Sequence, residues 1–575
     1  MYAQVALSSK GEQMKHKRHG IYAPTAAALV LVLILSLTAM PGAMAADDVF
    51  VNGEVLPGGL TGTWALGSGG AAQLSDGDVY VMTADGIVRL GDGAAIPEGD
   101  PEHLEVSGTV ALPYDKVRVA LYYYDEADSI RNPTLDTANL ENAVGSGYSF
   151  GYYDEEREFQ ALGHTDETKI TMAMDRNVVV GGKTVGCYHI LLPEKYTSFS
   201  EASAAASRYA DGFPAYYNGE FRVLYGAWET SGEAQLALYA SGGNGAVYTA
   251  TNRCVVVTRT SDGRILFEFD CGSQRNLAVE PVGDNALTWF KGNRYFGGFE
   301  YIRRTGGQLT VINVVGIEEY VRGVLPYEMN NSWPAEALKT QAVCARTYAA
   351  RHFDSLSAYQ ADLTNDTYSQ VYWGYGDSAS ENTDAAVEAT AGVYITYDGR
   401  LIDAMYCSST GGATESSENV MYSSVPYLRG KVDPYEAAAD SINANSSWTR
   451  TLTSSAIAGV VNGYGHSLSG IESITTELSP SGNVIAITFT DAAGASAVFE
   501  KSACYNLVTA RLGLNSIHFE VRKTPGGFEF TGGGWGHSVG VSQYGAYAMA
   551  DTYGFTYDQI INFYYTGVEL NRGVY

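Results

Sequence analysis

The chain has 575 residues, with 65 glycines and 42 tyrosines against 16 prolines, and carries a formal charge of −28. That length holds three or four domains of ordinary size, and so acidic a chain is a poor partner for nucleic acid or any other polyanion. Six cysteines are too few to form a disulfide scaffold in a chain this long.

Lys15, Lys17 and Arg18 precede the apolar run AAALVLVLILSLTAM, and Ala43-Met44-Ala45 offers a small-x-small cleavage site, so residues 1–45 read as a secretory signal peptide. Cleavage takes away Lys10, Lys15, Lys17 and Arg18 against Glu12, leaving a charge of −31. The alternative is an uncleaved N-terminal anchor, the one case in which the chain meets a membrane.

Residues 46–175 alternate short apolar runs (VYVMTA, TVALP, VRVALYYY) with Gly- and Asp-rich turns, the pattern of a β-rich N-terminal domain. In 176–250, YHILLPEKY is followed by the helical SFSEASAAASRYA, by two strands around an Asn218-Gly219 turn, and by the helical TSGEAQLALYA. This βαββα order, with RVLYGAW in the second hairpin strand, resembles the SPOR family of peptidoglycan-binding domains. A generic α+β sandwich fits it as well. Residues 251–284 contain CVVVTRTSDGRILFEFDC. A two-residue Asp262-Gly263 turn pairs positions summing to 525, which sets Cys254 opposite Cys271 in a close, non-hydrogen-bonded pair suited to a disulfide.

From about residue 285 to the end, four blocks follow one another: GVLPYEM with SWPAEALKTQAVCARTYA, SQVYWG, YCSSTGGAT, and GGGWGHSVGVSQYGAYAMA. In this order they resemble the catalytic domain of the stage II sporulation protein D (SpoIID/LytB) family of peptidoglycan-cleaving proteins. The expected fold is therefore multidomain α+β, ending in a catalytic domain at 285–575.

Within the first block, Asn331, Ser332 and Pro334 signal a helix start, and Leu338, Ala342, Ala345 and Ala349 recur on one helical face. Glu328 lies just upstream among Pro326, Tyr327, Met329 and Trp333, where desolvation raises a carboxyl pKa toward that of a general acid. On the residues alone a structural, salt-bridged glutamate is the favoured reading, since perturbed carboxylates are often structural. The resemblance assigns Glu328 the catalytic role. A glycosidase ordinarily needs two carboxylates, and the blocks supply one clear candidate, since Glu336 sits in the first helical turn where it stabilises the dipole. One carboxyl suffices for a lytic transglycosylase, in which the muramic acid C6 hydroxyl attacks its own anomeric carbon and closes a 1,6-anhydro ring.

The same blocks nominate substrate-binding residues. Arg346 can hold a stem-peptide carboxylate, orient Glu328, or form an internal ion pair. Gln370 and Tyr372 come from SQVYWG, Ser408, Ser409 and Thr410 offer hydroxyls, and Trp535, His537 and Gln543 can stack on or hydrogen-bond to sugars. Cys407 with His537 as its base is a competing thiol site. Tyr368 and Ser369 stand where some family members carry a His-Cys metal pair, so neither metal nor cofactor is expected. The expected partners are peptidoglycan glycan strands and a cell-wall amidase, the latter because part of the family is associated with amidase enhancement. Secretion to the cell wall, in sporulation or vegetative remodelling, completes the expectation.

Overall fold

The computed structural model describes residues 100–575 apart from 124–133, 304–307, 377–380 and 422, together with six short strands between residues 50 and 90. The signal segment 1–45 lies outside the described residues. Among the described residues no helix is long and apolar enough to cross a membrane. Four of the short upstream strands, Ala65–Leu66, Ala71–Gln73, Val79–Thr83 and Gly86–Leu90, form one antiparallel meander.

The βαββα segment forms as its sequence pattern predicts, with a closing strand. Strand Tyr188–Leu191, helix Phe199–Ala206, strands Gly212–Tyr217 and Glu220–Trp228, helix Ser231–Ala240 and strand Ala246–Thr249 follow in order. Asn218 and Gly219 both take positive φ, as a two-residue hairpin turn requires. Thr230 and Glu233 close a capping box at the second helix. The hairpin does not end the sheet, however. Gly212–Tyr217 pairs in parallel with Ile265–Asp270, and ten strands from 137–295 join one sheet.

The expected disulfide does not form: Cys254 and Cys271 are buried free thiols. A bulge at Val257/Thr258 shifts the hairpin, pairing Val255 with Phe269 and Val256 with Glu268. Continued outward, that register sets Cys254 across from Asp270 and leaves Cys271 on the opposite face, because side chains alternate along a strand. The expected two-residue turn is also replaced by a four-residue loop, 260–263, closed by the Arg259 N–H donating to the Arg264 carbonyl at 2.8 Å, so loop length and bulge together set a register one position from the expected one.

A second sheet of seven strands mixes distant segments. Its order is Phe159–Thr165, Tyr148–Tyr153, Leu277–Pro281, Gly298–Arg303, Leu309–Gly316, Lys116–Tyr122 and Leu363–Thr364. Likewise Val106–Ala111 runs parallel to the last strand, Glu569–Val574. Strands from the N-terminal segment thus complete the sheets of the C-terminal half. Arg157 reinforces this union. Buried, it donates to both oxygens of Asp362 at 2.6 and 2.8 Å, and its guanidinium lies 3.7 Å from the centre of the Tyr114 ring.

Strand Leu309–Gly316 leads directly into helix Ile317–Glu328, and helix Ala335–Arg351 packs against it. The anticipated face is fully buried: Leu338, Ala342, Ala345 and Ala349 are all inaccessible. Burying Leu338 alone contributes about 2 kcal/mol. The segment before it is a helix the sequence reading missed: Glu328, placed just upstream of the Pro334 helix start, ends a 12-residue helix of its own. Pro326 in its last turn and Gly323 in its middle hide the helical pattern. Gly323 is there for packing, since a Cβ at that position would come within 2.4 Å of the Tyr372 ring.

The cysteine register is directly testable. Alkylation in denaturant without reductant should label both Cys254 and Cys271, as read by peptide mass spectrometry; protection of the pair until reductant is added would mean the bulged register is wrong.

Candidate active site

Glu328 sits half-buried at the C-terminal end of its helix. Its Oε1 accepts from the Val371 N–H at 2.9 Å and its Oε2 from Gln543 Nε2 at 3.4 Å, and the Tyr406 hydroxyl also bonds to the carboxylate. Desolvation outweighs these donors and raises the carboxyl pKa above the ordinary glutamate value. The helix macrodipole acts in the same direction, because its negative end faces an anion here. Among the described residues, none of the groups that shift Glu328 is a second carboxylate.

The donors are held by a chain of buried groups. The Tyr320 hydroxyl donates to Gln370 Oε1 at 3.0 Å, and Gln370 Nε2 donates to the Tyr406 hydroxyl at 3.1 Å. Gln370 and Tyr372 are each only 1% exposed, so neither can touch a polymer, which corrects their expected role as substrate contacts. Gln370 positions Tyr406 instead. Tyr372 stacks on Tyr320 at 4.9 Å and donates to Asn313 Oδ1 at 2.6 Å.

Arg346 requires a similar correction. It is wholly buried and grips Glu318 with Nε to Oε1 at 2.9 Å and Nη2 to Oε2 at 2.7 Å, while its remaining protons face the carbonyls of Ala342, Val387 and Val393. Of the three roles open to it, the internal ion pair is the one realised. Glu336 is structural as expected, bonded to Lys339 and to the Tyr557 N–H.

The Ser409 and Thr410 hydroxyls are not free to bind sugar either. Both donate to the buried carboxylate of Glu436, which also accepts from the Thr410 N–H at 3.1 Å. Glu436 thereby folds the Ser-Thr-Gly-Gly turn around itself. It is a residue the sequence reading missed, since nothing in the surrounding PYEAAAD pairs it with a loop 26 positions upstream. Tyr406 and Tyr320 were missed for the same reason. Ser408, half-buried, is the hydroxyl of this turn that stays nearest the surface.

Trp535 is 50% exposed and bridges to Ser409 through the backbone, while Gln543 opens helix Gln543–Asp551 and reaches Glu328. Trp373, also 50% exposed, lies two residues beyond Val371 with its ring 5.3 Å from Tyr327. It is a stacking surface the sequence reading overlooked. His537 Nδ1 accepts from the Val539 N–H at 3.0 Å, and desolvation drops its pKa to about 4. It is a neutral fixture of the loop. Burial raises the Cys407 thiol far above its ordinary value, so this pair lacks the thiolate that nucleophilic attack needs. Around Tyr368 and Ser369, Asp366 Oδ1 accepts from the Tyr368 N–H and the Thr364 hydroxyl, and Ser369 Oγ accepts from the Thr364 N–H at 3.0 Å.

A carboxyl whose burial favours its protonated form, with hydrogen-bond donors around it and the exposed Trp373 ring packed on the adjacent Tyr327, is an arrangement able to hold and release a proton. Comparison with known proteins agrees with the sequence resemblance. Residues 305–397 match the family model described as stage II sporulation protein. The chain is 33% identical over 287 residues to stage II sporulation protein D of Bacillus subtilis, covering 47% of this chain and 78% of that protein. An uncharacterized protein of Brachyspira hyodysenteriae is 35% identical over 282 residues, 48% of this chain and 73% of its own length. The amidase enhancer of Bacillus subtilis is 34% identical over 290 residues, which are 44% of this chain and 40% of that relative. The chain belongs to the stage II sporulation protein D family.

Two outcomes follow from this geometry. Replacing Arg346 with Met should cost about 3 kcal/mol of stability, as measured by denaturant unfolding, because it strands the Glu318 carboxylate. A loss under about 1 kcal/mol would mean that solvent, not the guanidinium, satisfies Glu318. Burial favours the protonated Glu328, so the folded chain holds this proton to higher pH than the unfolded chain, and stability falls as pH rises through the interval between the two pKa values. Glu328→Gln should therefore raise the melting temperature near about pH 7 and lose that advantage below about pH 4.

Proposed function

We propose that the protein is an extracytoplasmic lytic transglycosylase that cleaves the bond between N-acetylmuramic acid and N-acetylglucosamine in peptidoglycan strands. Glu328 donates a proton to the departing glycosidic oxygen and then accepts one from the C6 hydroxyl of the muramic acid, which closes the 1,6-anhydro ring. The observation that carries this reading is a lone carboxyl, desolvated at a helix end, whose neighbours are neutral donors. A hydrolase of the usual kind needs a second carboxylate within about 5–10 Å, and none among the described residues perturbs Glu328. Trp373 and Trp535 supply rings on which sugars can stack.

Residues 176–250 serve in this reading as a SPOR-like wall-binding module. A groove of about 600 Å³ there is lined by Lys183, Arg208 and Arg264 together with Tyr209 and Trp228. Rings and cations suit a glycan that carries muramyl carboxylates. The likeness to an amidase enhancer supports a second reading, in which the protein binds the wall and stimulates a cell-wall amidase while Glu328 is kept for the fold.

Mass spectrometry of fragments released from purified peptidoglycan, with and without stem peptides, separates these readings. Products ending in 1,6-anhydro-muramic acid are expected, with release falling about 10³-fold or more in Glu328→Gln. Reducing-end products would point to hydrolysis, and intact strands with binding retained would favour the enhancer.

A further inference from the structure

Within the ten-stranded sheet, away from Glu328, four chemistry-bearing side chains converge: Asp175, His189, Cys254 and Glu268, all buried. Single ligand atoms of Asp175, Cys254 and Glu268 lie within 4.8 Å of one another. His189 Nε2 lies 3.3 Å from Asp175 Oδ1 and 3.5 Å from Glu268 Oε2. We propose that these four residues bind a zinc ion, a site independent of the glycan chemistry proposed for Glu328.

The distances favour a metal over an ion pair. A charge-assisted hydrogen bond from an imidazolium spans about 2.7–2.9 Å, shorter than either contact. Ligands bound to zinc at about 2.0–2.2 Å with tetrahedral angles lie roughly 3.3–3.6 Å apart, which is the spacing of the two contacts His189 makes. The other ring nitrogen, His189 Nδ1, is 2.6 Å from the Gly226 carbonyl oxygen. In the neutral ring that bond takes the Nδ1 proton and leaves the Nε2 lone pair between two carboxylates, the outer-shell arrangement typical of a metal-bound histidine. Asp175 Oδ2 and Glu268 Oε2 are buried without a hydrogen-bond partner, a costly state for anions in an apolar interior.

The surrounding charges point the same way. Asp270 is satisfied separately by the Tyr248 hydroxyl and by the Thr251 N–H and hydroxyl. The cation beside the cluster is Arg303, whose Nη1 donates to the Cys254 carbonyl oxygen at 2.8 Å. Even with an imidazolium at His189, one guanidinium leaves one of three buried carboxylates unbalanced, whereas a dication with a cysteine, a histidine and two carboxylates is an ordinary zinc donor set. The ligands come from four places: after strand Lys169–Met174, within Tyr188–Leu191, before Val255–Arg259, and within Ile265–Asp270. A zinc ion there pins the βαββα segment to the rest of its sheet. The spacing 175, 189, 254, 268 fits no sequence motif, which is why the chain reads as free of metal.

Elemental analysis of the purified protein should find one zinc per chain, and chelation should lower the melting temperature of the unaltered protein, a measurement that needs no variant. After exchange for cobalt(II), a thiolate-to-cobalt charge-transfer band and tetrahedral visible bands are expected. Cys254→Ser should abolish the first and weaken zinc binding about 100-fold or more, while Cys187→Ser should change neither. Absence of stoichiometric zinc, or a charge-transfer band that survives in Cys254→Ser, would overturn the assignment and leave a buried imidazolium between two carboxylates.

Discussion

The ion pair between Arg346 and Glu318 fixes the placement of the catalytic candidate. Glu318 starts the helix that Glu328 ends, so its partner on the neighbouring long helix sets the axial register of the carboxyl about 15 Å away. Three further acceptors around the guanidinium and the Gly392 N–H on Glu318 leave the pair little freedom to slide. Its net contribution to stability is modest in principle, because desolvation offsets much of the attraction. What it supplies is one arrangement of two helices that the alanine-rich face of the longer one would otherwise allow to shift.

That arrangement has an electrostatic consequence. Glu328 is brought to the end of a helix and into partial burial, both of which oppose its ionisation, and is then given neutral donors in place of a cation. A neighbouring lysine or arginine would have pulled the pKa down and left the carboxylate unable to protonate a leaving group. The Tyr320–Gln370–Tyr406 chain serves the same end, since each member bonds the next and only the last faces the carboxyl.

What the sequence disclosed and what it withheld divide along physical lines. Local signals held: the Asn218-Gly219 turn, the Pro334 helix start, the buried stripe from Leu338 to Ala349, and the apolar setting of Glu328. Signals that depend on long-range contacts failed. Ser409 and Thr410 looked free because their acceptor, Glu436, is distant in sequence. Arg346, Gln370 and Tyr372 lie in the motif blocks, yet those blocks mix contact residues with the groups that brace them, and burial alone tells the two apart. The Cys254–Cys271 pairing failed because a four-residue loop and a bulge leave a net slip of one position, and a single-position slip reverses every side chain of a strand. The glutamate helix was invisible because Gly323, held by packing against Tyr372, and Pro326 both lower helix propensity.

The interleaving of the sheets bears on how the proposed activity would work on a solid substrate. Strand Leu309–Gly316 sits between Gly298–Arg303 and Lys116–Tyr122 and runs straight into the glutamate helix. A chain that joined binding and cleaving modules by a flexible linker would let the glutamate wander over the wall, gaining local concentration but no register. Here the strands around the site are drawn from segments almost two hundred residues apart, and the buried Arg157–Asp362 pair locks the upstream segment to the C-terminal half. On the reading proposed above, such a frame transmits the orientation of a bound strand to the cleft, so that binding energy is spent on aligning a glycosidic oxygen with one proton.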